Sequence, residues 1–370
     1  MIAPHTIFHR PANSDAVEPP EAHGVARDAV KLLVARPDGV SHARFADLGD
    51  YLRSGDLLVV NNSATLPAAV EGRRAGQRIA IHFSTHLSTV RAEKFWVVEL
   101  RPAGRATGHL SDVRPGERVD MPGGGAIVIG SSYPKAGVEG ARLWTARVVL
   151  EGPGDGVVAY LARHGRPIRY SYVPRPWPLD HYQTVFARHS GSAEMPSAAR
   201  PFSNELVTAL VAGGIAIAPI TLHAGVASAE AGEPPVPERF HVPPATARLV
   251  NLTRAAGSRV IAVGTTVTRA LESAANPDGV VHEAAGWTDL VLGPDRPCRV
   301  VNGLITGWHD AGASHLLLLE AVAGPDLVAS AYREAVENGY LWHEFGDSAV
   351  FLPAPAPATG PASGPKPRMY

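Results

Sequence analysis

Three short segments carry residue types able to do chemistry. The first is Val260-Ile-Ala-Val-Gly-Thr-Thr-Val-Thr-Arg269, an apolar run that breaks at Gly264 and resumes as a helical pattern. A helix start leaves backbone N–H groups without intrahelical partners, and its dipole favours a negative group there. Thr265 or Thr266 is placed to cap that helix. Arg269, within the first turn or so, could add a bidentate contact to a carboxylate, with Glu272 on a nearby face. An ordinary strand-to-helix corner would read the same way.

The second segment, Thr221-Leu-His-Ala-Gly225, ends another apolar run. In open α/β sheets ligands gather beyond the carboxyl ends of strands. That places His223 for proton transfer, with an ordinary pKa of about 6.5; a structural histidine bonded to backbone is the competing reading. The third segment is Thr306-Gly-Trp-His-Asp310. His309 again follows a strand pattern. Asp310 is poorly placed to pair with it, because neighbouring side chains rarely face each other. Trp308 can stack on a purine or fill a core. No Walker loop, G-x-S-x-G elbow, H-E-x-x-H or paired metal-ligand spacing occurs. These residues alone describe an α/β protein that binds or converts a ligand.

The elements that must position them change texture along the chain. Residues 1–24 are polar and Pro-rich and are expected to form a loose arm. Lys31 to Ala35 and Asp56 to Val60 read as short buried strands, with a helical spacing at Phe45, Leu48 and Leu52 between them. From 64 to 169, alternating runs such as Arg78 to Phe83, Phe95 to Leu100, Ala126 to Ile129 and Leu143 to Leu150 are separated by Gly- and Pro-rich turns. That pattern predicts a small all-β domain, barrel-like or a sandwich, inserted into an α/β domain made of 25–63 and 170–353. The α/β part should contain helices over 204–212, 266–275, 314–322 and 326–338. Strands are expected over 215–222, 259–263, 287–292, 299–306 and 348–352. The Pro/Ala/Gly-rich 354–370 is expected to be a disordered tail.

Composition narrows the class. Of 370 residues, 45% are hydrophobic and 19% charged, which suits a globular protein of about two domains. No window approaches the roughly 18–20 apolar residues of a membrane span. Met1 to Arg10 has no apolar signal core, so the cytoplasm is expected. Cys298 is the single cysteine, which excludes an internal disulfide, a Cys-rich zinc site and an iron–sulfur cluster. No metal is expected. The formal net charge of -1 lacks the basic surplus usual in proteins that grip RNA phosphates, although a local basic face stays compatible with it.

Taken in order, Ser54-Gly-Asp-Leu-Leu-Val-Val-Asn61, Leu66-Pro-Ala68, His181-Tyr-Gln-Thr-Val-Phe-Ala187, Thr221-Leu-His-Ala-Gly225, Val263-Gly-Thr-Thr266 with Arg269-Ala-Leu-Glu-Ser273, Gly286-Trp-Thr-Asp289, Asn302-Gly-Leu-Ile-Thr306 with His309, and Phe345-Gly-Asp347 resemble the S-adenosylmethionine:tRNA ribosyltransferase-isomerases of queuosine biosynthesis. The resemblance runs from about Val25 to Leu352. It implies an α/β domain carrying an inserted β-barrel, and S-adenosylmethionine as substrate. The ribosyl part of that substrate passes to the aminomethyl group of a 7-deazaguanine in tRNA, and adenine and methionine leave. His223 or His309 is then the candidate base. Tyr182, Gln183, Thr184, Gly264, Thr265, Thr266, Arg269, Glu272, Trp287, Thr288 and Asp289 are the candidate S-adenosylmethionine contacts.

Several positions depart from the family pattern. Asn61-Asn62-Ser63-Ala64 stands for Asn-Asp-Thr-Arg, and Pro196-Ser-Ala-Ala-Arg-Pro-Phe202 for Pro-Thr-Ala-Gly-Leu-His-Phe. Gly225 to Ala229 and Pro235 to Phe240 also lose motif residues, two histidines among them, and Gly307-Trp-His-Asp-Ala311 replaces Asn-Phe-His-Leu-Pro. Unmatched buried polar partners weaken the original contacts. A diverged relative that cleaves or rearranges S-adenosylmethionine in a small-molecule pathway without tRNA, or a non-catalytic binding protein, is therefore the alternative.

Overall fold

The computed structural model describes residues 3–87, 94–104, 108–151, 156–226 and 236–354. The expected disordered tail falls, but for its first residue, outside the described residues. Leu57–Asn61 is buried along its whole length. An uninterrupted apolar strand of this kind needs cover on both faces. Alternation divides the strand between two cores: Leu57 and Val59 join one apolar cluster, Leu58 and Val60 the other.

Around it runs a nine-stranded sheet. Its spatial order is Ala284–Thr288, Glu238–Val242, Ala216–His223, Leu57–Asn61, Val260–Val263, Gly303–Thr306, Ser348–Phe351, Lys31–Arg36 and Gly39–Arg44. The four strands from Ala216–His223 to Gly303–Thr306 are mutually parallel. Their carboxyl ends therefore lie on one edge. Helices Pro244–Ala255, Thr265–Ser273, Ser314–Ala323 and Pro325–Glu337 bury residues in the first cluster, and Asn204–Ala212 in the second.

Six antiparallel strands between Ala69 and Val149 close into a barrel. Its core holds Ile81, Phe83, Trp96, Val98, Ile127 and Trp144. Helix Gly156–His164 adds Tyr160 and Leu161 to that core. Ser63–Thr65 and His189–Ser192 pair in parallel on the two chain crossings between barrel and sheet.

Several elements differ from expectation. The segment expected as a loose arm is packed: Thr6 donates its N–H and hydroxyl to the buried Glu320 carboxylate, both at 2.8 Å. Trp342 N–H also donates to Ser14 O at 2.7 Å. A buried carboxylate and an open backbone edge need such partners, and the arm supplies them. Phe45–Tyr51 is a 3-10 helix, whose i, i+3 period suits the buried pair Phe45 and Leu48. The expected strand over 299–306 shortens to Gly303–Thr306, because the N–H groups of Arg299, Val300 and Val301 donate to the Glu272 carboxylate instead of a strand. The expected strand over 287–292 lies at Ala284–Thr288. Pro244–Ala255, Gly156–His164 and Glu238–Val242 are further elements that the sequence pattern does not predict.

Candidate active site

A cleft of about 400 Å³ lies between the barrel and the carboxyl edge of the parallel strands. The size falls in the usual range of ligand pockets, roughly 300–1,000 Å³. The barrel contributes Ser84, Thr85 and Arg142, and the sheet contributes Val263, Gly264 and Thr306.

Gly264 turns the chain from strand into helix with φ 99° and ψ 157°, a conformation that side chains disfavour. An added Cβ would meet the Ala198 Cβ at 3.3 Å. The helix Thr265–Ser273 has no side-chain cap, contrary to the expectation for Thr265 or Thr266. Thr266 Oγ1 instead accepts from Asn61 Nδ2 at 3.4 Å. Gly264, Thr265 and Thr266 all line the cleft, so its wall includes an uncapped helix start that favours an anionic group.

His309 also lines the cleft, and beside it stands His315, which sequence reasoning missed. The rings stack at 4.5 Å with an interplanar angle of 2°. His309 Nε2 lies 3.0 Å from Thr306 Oγ1, and its backbone N–H donates to Tyr332 OH. Burial lowers the His315 pKa to about 4, helped by the Arg269 charge. Burial also holds His309 well below the ordinary histidine value, with His315 adding to it. Both imidazoles are neutral at physiological pH. Asp310 pairs with Arg10 at 3.3 Å.

A further part of the lining was also not legible in the sequence. Tyr172 stacks on His343 at 4.1 Å and on Tyr170 at 5.7 Å. Its hydroxyl donates to Glu344 Oε2. Burial raises the Glu344 carboxyl above the usual range, opposed by Tyr172 and Arg200. Glu344 Oε1, Thr85 Oγ1, Tyr170 OH and Trp308 Nε1 are buried without hydrogen-bond partners, and all four residues line the cleft. Buried polar atoms are nearly always paired, and each unpaired one costs about 1–3 kcal/mol. A cluster of four around one cavity is the mark of a polar ligand site. Trp308 fills the core as well, packing on Tyr332, Tyr340 and Trp342.

The remaining expected residues divide. Tyr182 lines the cleft and packs on Phe345 at 5.2 Å. Arg269 lines it too, but its guanidinium donates to Glu238, to Leu290 O and to Thr288 O. Three of its donors are spent on holding Glu238 and the following loop. Gln183 pairs with both backbone groups of Thr65 at 2.9 Å, and Thr184 Oγ1 accepts from Phe186 N–H. Glu272 holds the three N–H groups named above. Thr288 is buried against Ser273, and Trp287 and Asp289 are exposed on the sheet edge. Gln183, Thr184, Glu272, Trp287, Thr288 and Asp289 thus do not line the cleft.

His223 is behind its wall, with Nδ1 2.8 Å from Ser63 Oγ, which is 2.7 Å from Ser192 Oγ. Its ring lies so close to Gly191 that an added Cβ would approach Nδ1 to 2.5 Å. Burial lowers its pKa to about 4, as it does that of His86. Four histidines, His86, His223, His309 and His315, are therefore proton-free in the fold at pH values where the unfolded chain begins to bind protons, near 6.5. What these histidines contribute to stability should be constant above that value. It should fall as pH drops from about 6.5 towards 4, because the unfolded state holds more protons in that window. Urea midpoints measured across it would show the loss; a flat profile would mean that these rings are hydrated.

The family model described as "Queuosine biosynthesis protein" matches residues 5–351. The chain belongs to this family. It is 36% identical over 343 residues to the S-adenosylmethionine:tRNA ribosyltransferase-isomerase of Moorella thermoacetica, covering 88% of this chain and 94% of that protein. Against the Acidiphilium cryptum protein of the same name it is 33% identical, over 93% of this chain and 97% of the other. The crystal structure of S-adenosylmethionine tRNA ribosyltransferase from Thermotoga maritima superposes with a TM-score of 0.51 and 27% identity, covering 93% of this chain and 99% of that one. The barrel beside a mixed sheet is thus the family fold.

Family membership makes the substituted positions informative. Ser63, in the altered Asn61 to Ala64 stretch, supplies the hydroxyl that holds His223. Arg200, where a leucine is usual, is buried 2.8 Å from Glu21 of the packed arm and 5.0 Å over the Phe345 ring. The arm's carboxylate therefore offsets the charge this substitution buries. Residues 227–235 lie outside the described residues. Among the described residues no group of three or more His, Cys, Asp or Glu could hold a metal ion, and no helix is long and apolar enough to cross a membrane.

Proposed function

We propose that this chain is an S-adenosylmethionine-consuming ribosyltransferase-isomerase acting on the 7-aminomethyl-7-deazaguanine of tRNA, with release of adenine and methionine. The observation that carries the reading is the cleft itself. It sets a neutral, stacked histidine pair and four unpaired polar atoms between the barrel and an uncapped helix start.

The chemistry asks for these parts. A sulfonium acidifies the adjacent C5′ protons, so a neutral imidazole close by can remove one as adenine is expelled. His315 suits the task better than His223, because it lines the cleft and has no side-chain hydrogen-bond partner among the described residues. The uncapped N–H groups at Thr265 and Thr266 suit the methionine carboxylate. Trp308 Nε1, a donor only, suits an acceptor atom of the purine or ribose. Glu344 Oε1 suits the acceptor's amine, which must shed a proton before it attacks: the ammonium proton passes to the carboxylate and the amine keeps its electron pair. Both substrates are cytoplasmic, and so is the enzyme on this reading.

The test is incubation of the pure protein with S-adenosylmethionine, with and without tRNA carrying the aminomethyl-deazaguanine, followed by mass spectrometry. Adenine and methionine should appear only with tRNA. Sulfonium breakdown without tRNA would indicate the small-molecule reading instead, and no turnover in either mixture a binding protein.

A further inference from the structure

A second cleft, on the barrel side of the reaction cleft, shares Pro167 and Tyr182 with it. Arg78, Arg101, Arg166 and Arg169 line it, and Glu71 is its only acid among the described residues. Arg78 and Arg166 both reach that one carboxylate, at 2.7 and 2.9 Å, while remaining more than half exposed. Arg169 donates to the carbonyls of Pro174 and Val173 and meets no carboxylate among the described residues. Two guanidiniums therefore share one carboxylate, Arg169 adds a third positive charge, and Arg101 is held 3.1 Å from Glu99. Trp177 lies on the same wall beneath Arg175, and its Nε1 is buried with no partner.

Most groups this cleft offers a ligand are hydrogen-bond donors: guanidinium N–H groups and an indole N–H. Its occupant must be rich in acceptors and negatively charged. Guanidinium forks match phosphate oxygens. We propose that this cleft seats the sugar–phosphate backbone of the acceptor RNA, so that the nucleotide under reaction crosses the Pro167–Tyr182 wall into the neighbouring cleft. This rests on the functional reading above. It also reconciles a net charge of -1 with an RNA substrate, because the surplus is local.

The experiment uses the full chain and a fluorescein-labelled tRNA anticodon stem-loop, with affinity read by anisotropy between about 50 and 200 mM salt. The proteins are wild type, the double variant Arg78→Gln/Arg166→Gln, and Arg169→Gln. Both variants should bind RNA about tenfold or more weakly at low salt, and the slope of log affinity against log salt should drop by about 0.7 for each phosphate that is no longer neutralised. Their melting temperatures and their S-adenosylmethionine affinity by calorimetry should match wild type, which separates impaired docking from impaired folding. Variants with wild-type RNA affinity and slope overturn the proposal. If their KM for tRNA is also unchanged while wild type still releases adenine only with tRNA, the function stands and the docking site falls. A wild-type protein that binds no RNA overturns the proposal as well, and sulfonium breakdown without tRNA would then remove the reading beneath it.

Discussion

His315→Asn is expected to lower kcat by about 10²- to 10⁴-fold, the usual contribution of a positioned general base, while S-adenosylmethionine binds as before. The argument is geometric before it is electrostatic. His315 stands at the start of helix Ser314–Ala323, its ring locked parallel to that of His309 and bordering the cleft. Burial keeps the ring free of a proton down to about pH 4. A base works only when deprotonated, so the limb that His315 adds to kcat/KM should lie near pH 4, below the limb of Glu344, and should show by itself in Glu344→Gln as a tenfold fall per unit. His309→Asn should cost less, since His309 already engages Thr306 and acts by holding its neighbour. Rapid-quench measurement of adenine release in both variants decides the matter. Wild-type rates in His315→Asn would return the base role to His309 or His223.

Glu344→Gln should cost about 10- to 100-fold in kcat/KM for tRNA, in line with the roughly 1.5–3 kcal/mol of a charged hydrogen bond. The substitution keeps size and shape, and the amide oxygen can still accept from Tyr172. What it removes is the negative charge and proton affinity of Oε1, the buried acceptor with no partner. S-adenosylmethionine affinity should change little, because the amine that Glu344 serves belongs to the other substrate. Burial raises the Glu344 pKa, so its ionised fraction grows as pH rises beyond the ordinary carboxylate range. The wild-type rate should climb through that range, and the Gln variant should lack the limb. Unchanged kcat/KM and an unchanged pH profile would reduce Glu344 to a support for Tyr172. A raised S-adenosylmethionine Kd would instead assign it to the methionine ammonium.

Much of the scaffold was legible because local pattern and tertiary demand agree. Asp56 to Val60 reads as a short buried strand, and the alternating runs between Arg78 and Leu150 read as a small barrel or sandwich, which the structure resolves as a closed barrel. Asn204–Ala212 shows its apolar face in the sequence. The departures arise where a side chain takes over backbone bonding. Glu272 stops a strand from forming at Arg299, and Glu320 pins an arm whose composition suggests none of this.

The ordered motifs identified the family, yet many of their residues build the frame. Asn61 bonds Leu222 and Ser63, Asn302 accepts from Val260 N–H, and Asp347 accepts from Lys31 and Leu341 N–H. Such residues are specific in sequence because a buried carbonyl or carboxylate must meet defined N–H groups.

The sequence by itself determined the family, a small all-β domain inserted in an α/β frame, the Gly264 turn and the placement of His309 beyond a strand. These depend on apolar period, turn chemistry and chain order, which are properties of neighbouring residues. Only the tertiary structure decided that His315 stacks on His309, that Glu344 Oε1 and Tyr170 OH are left unpaired at the cleft, that Arg269 is committed to Glu238, and that arginines from 78 to 169 share a cleft. Those residues come from separate elements, and burial, which sets their charge and leaves their hydrogen bonds open, exists only once the barrel closes against the sheet.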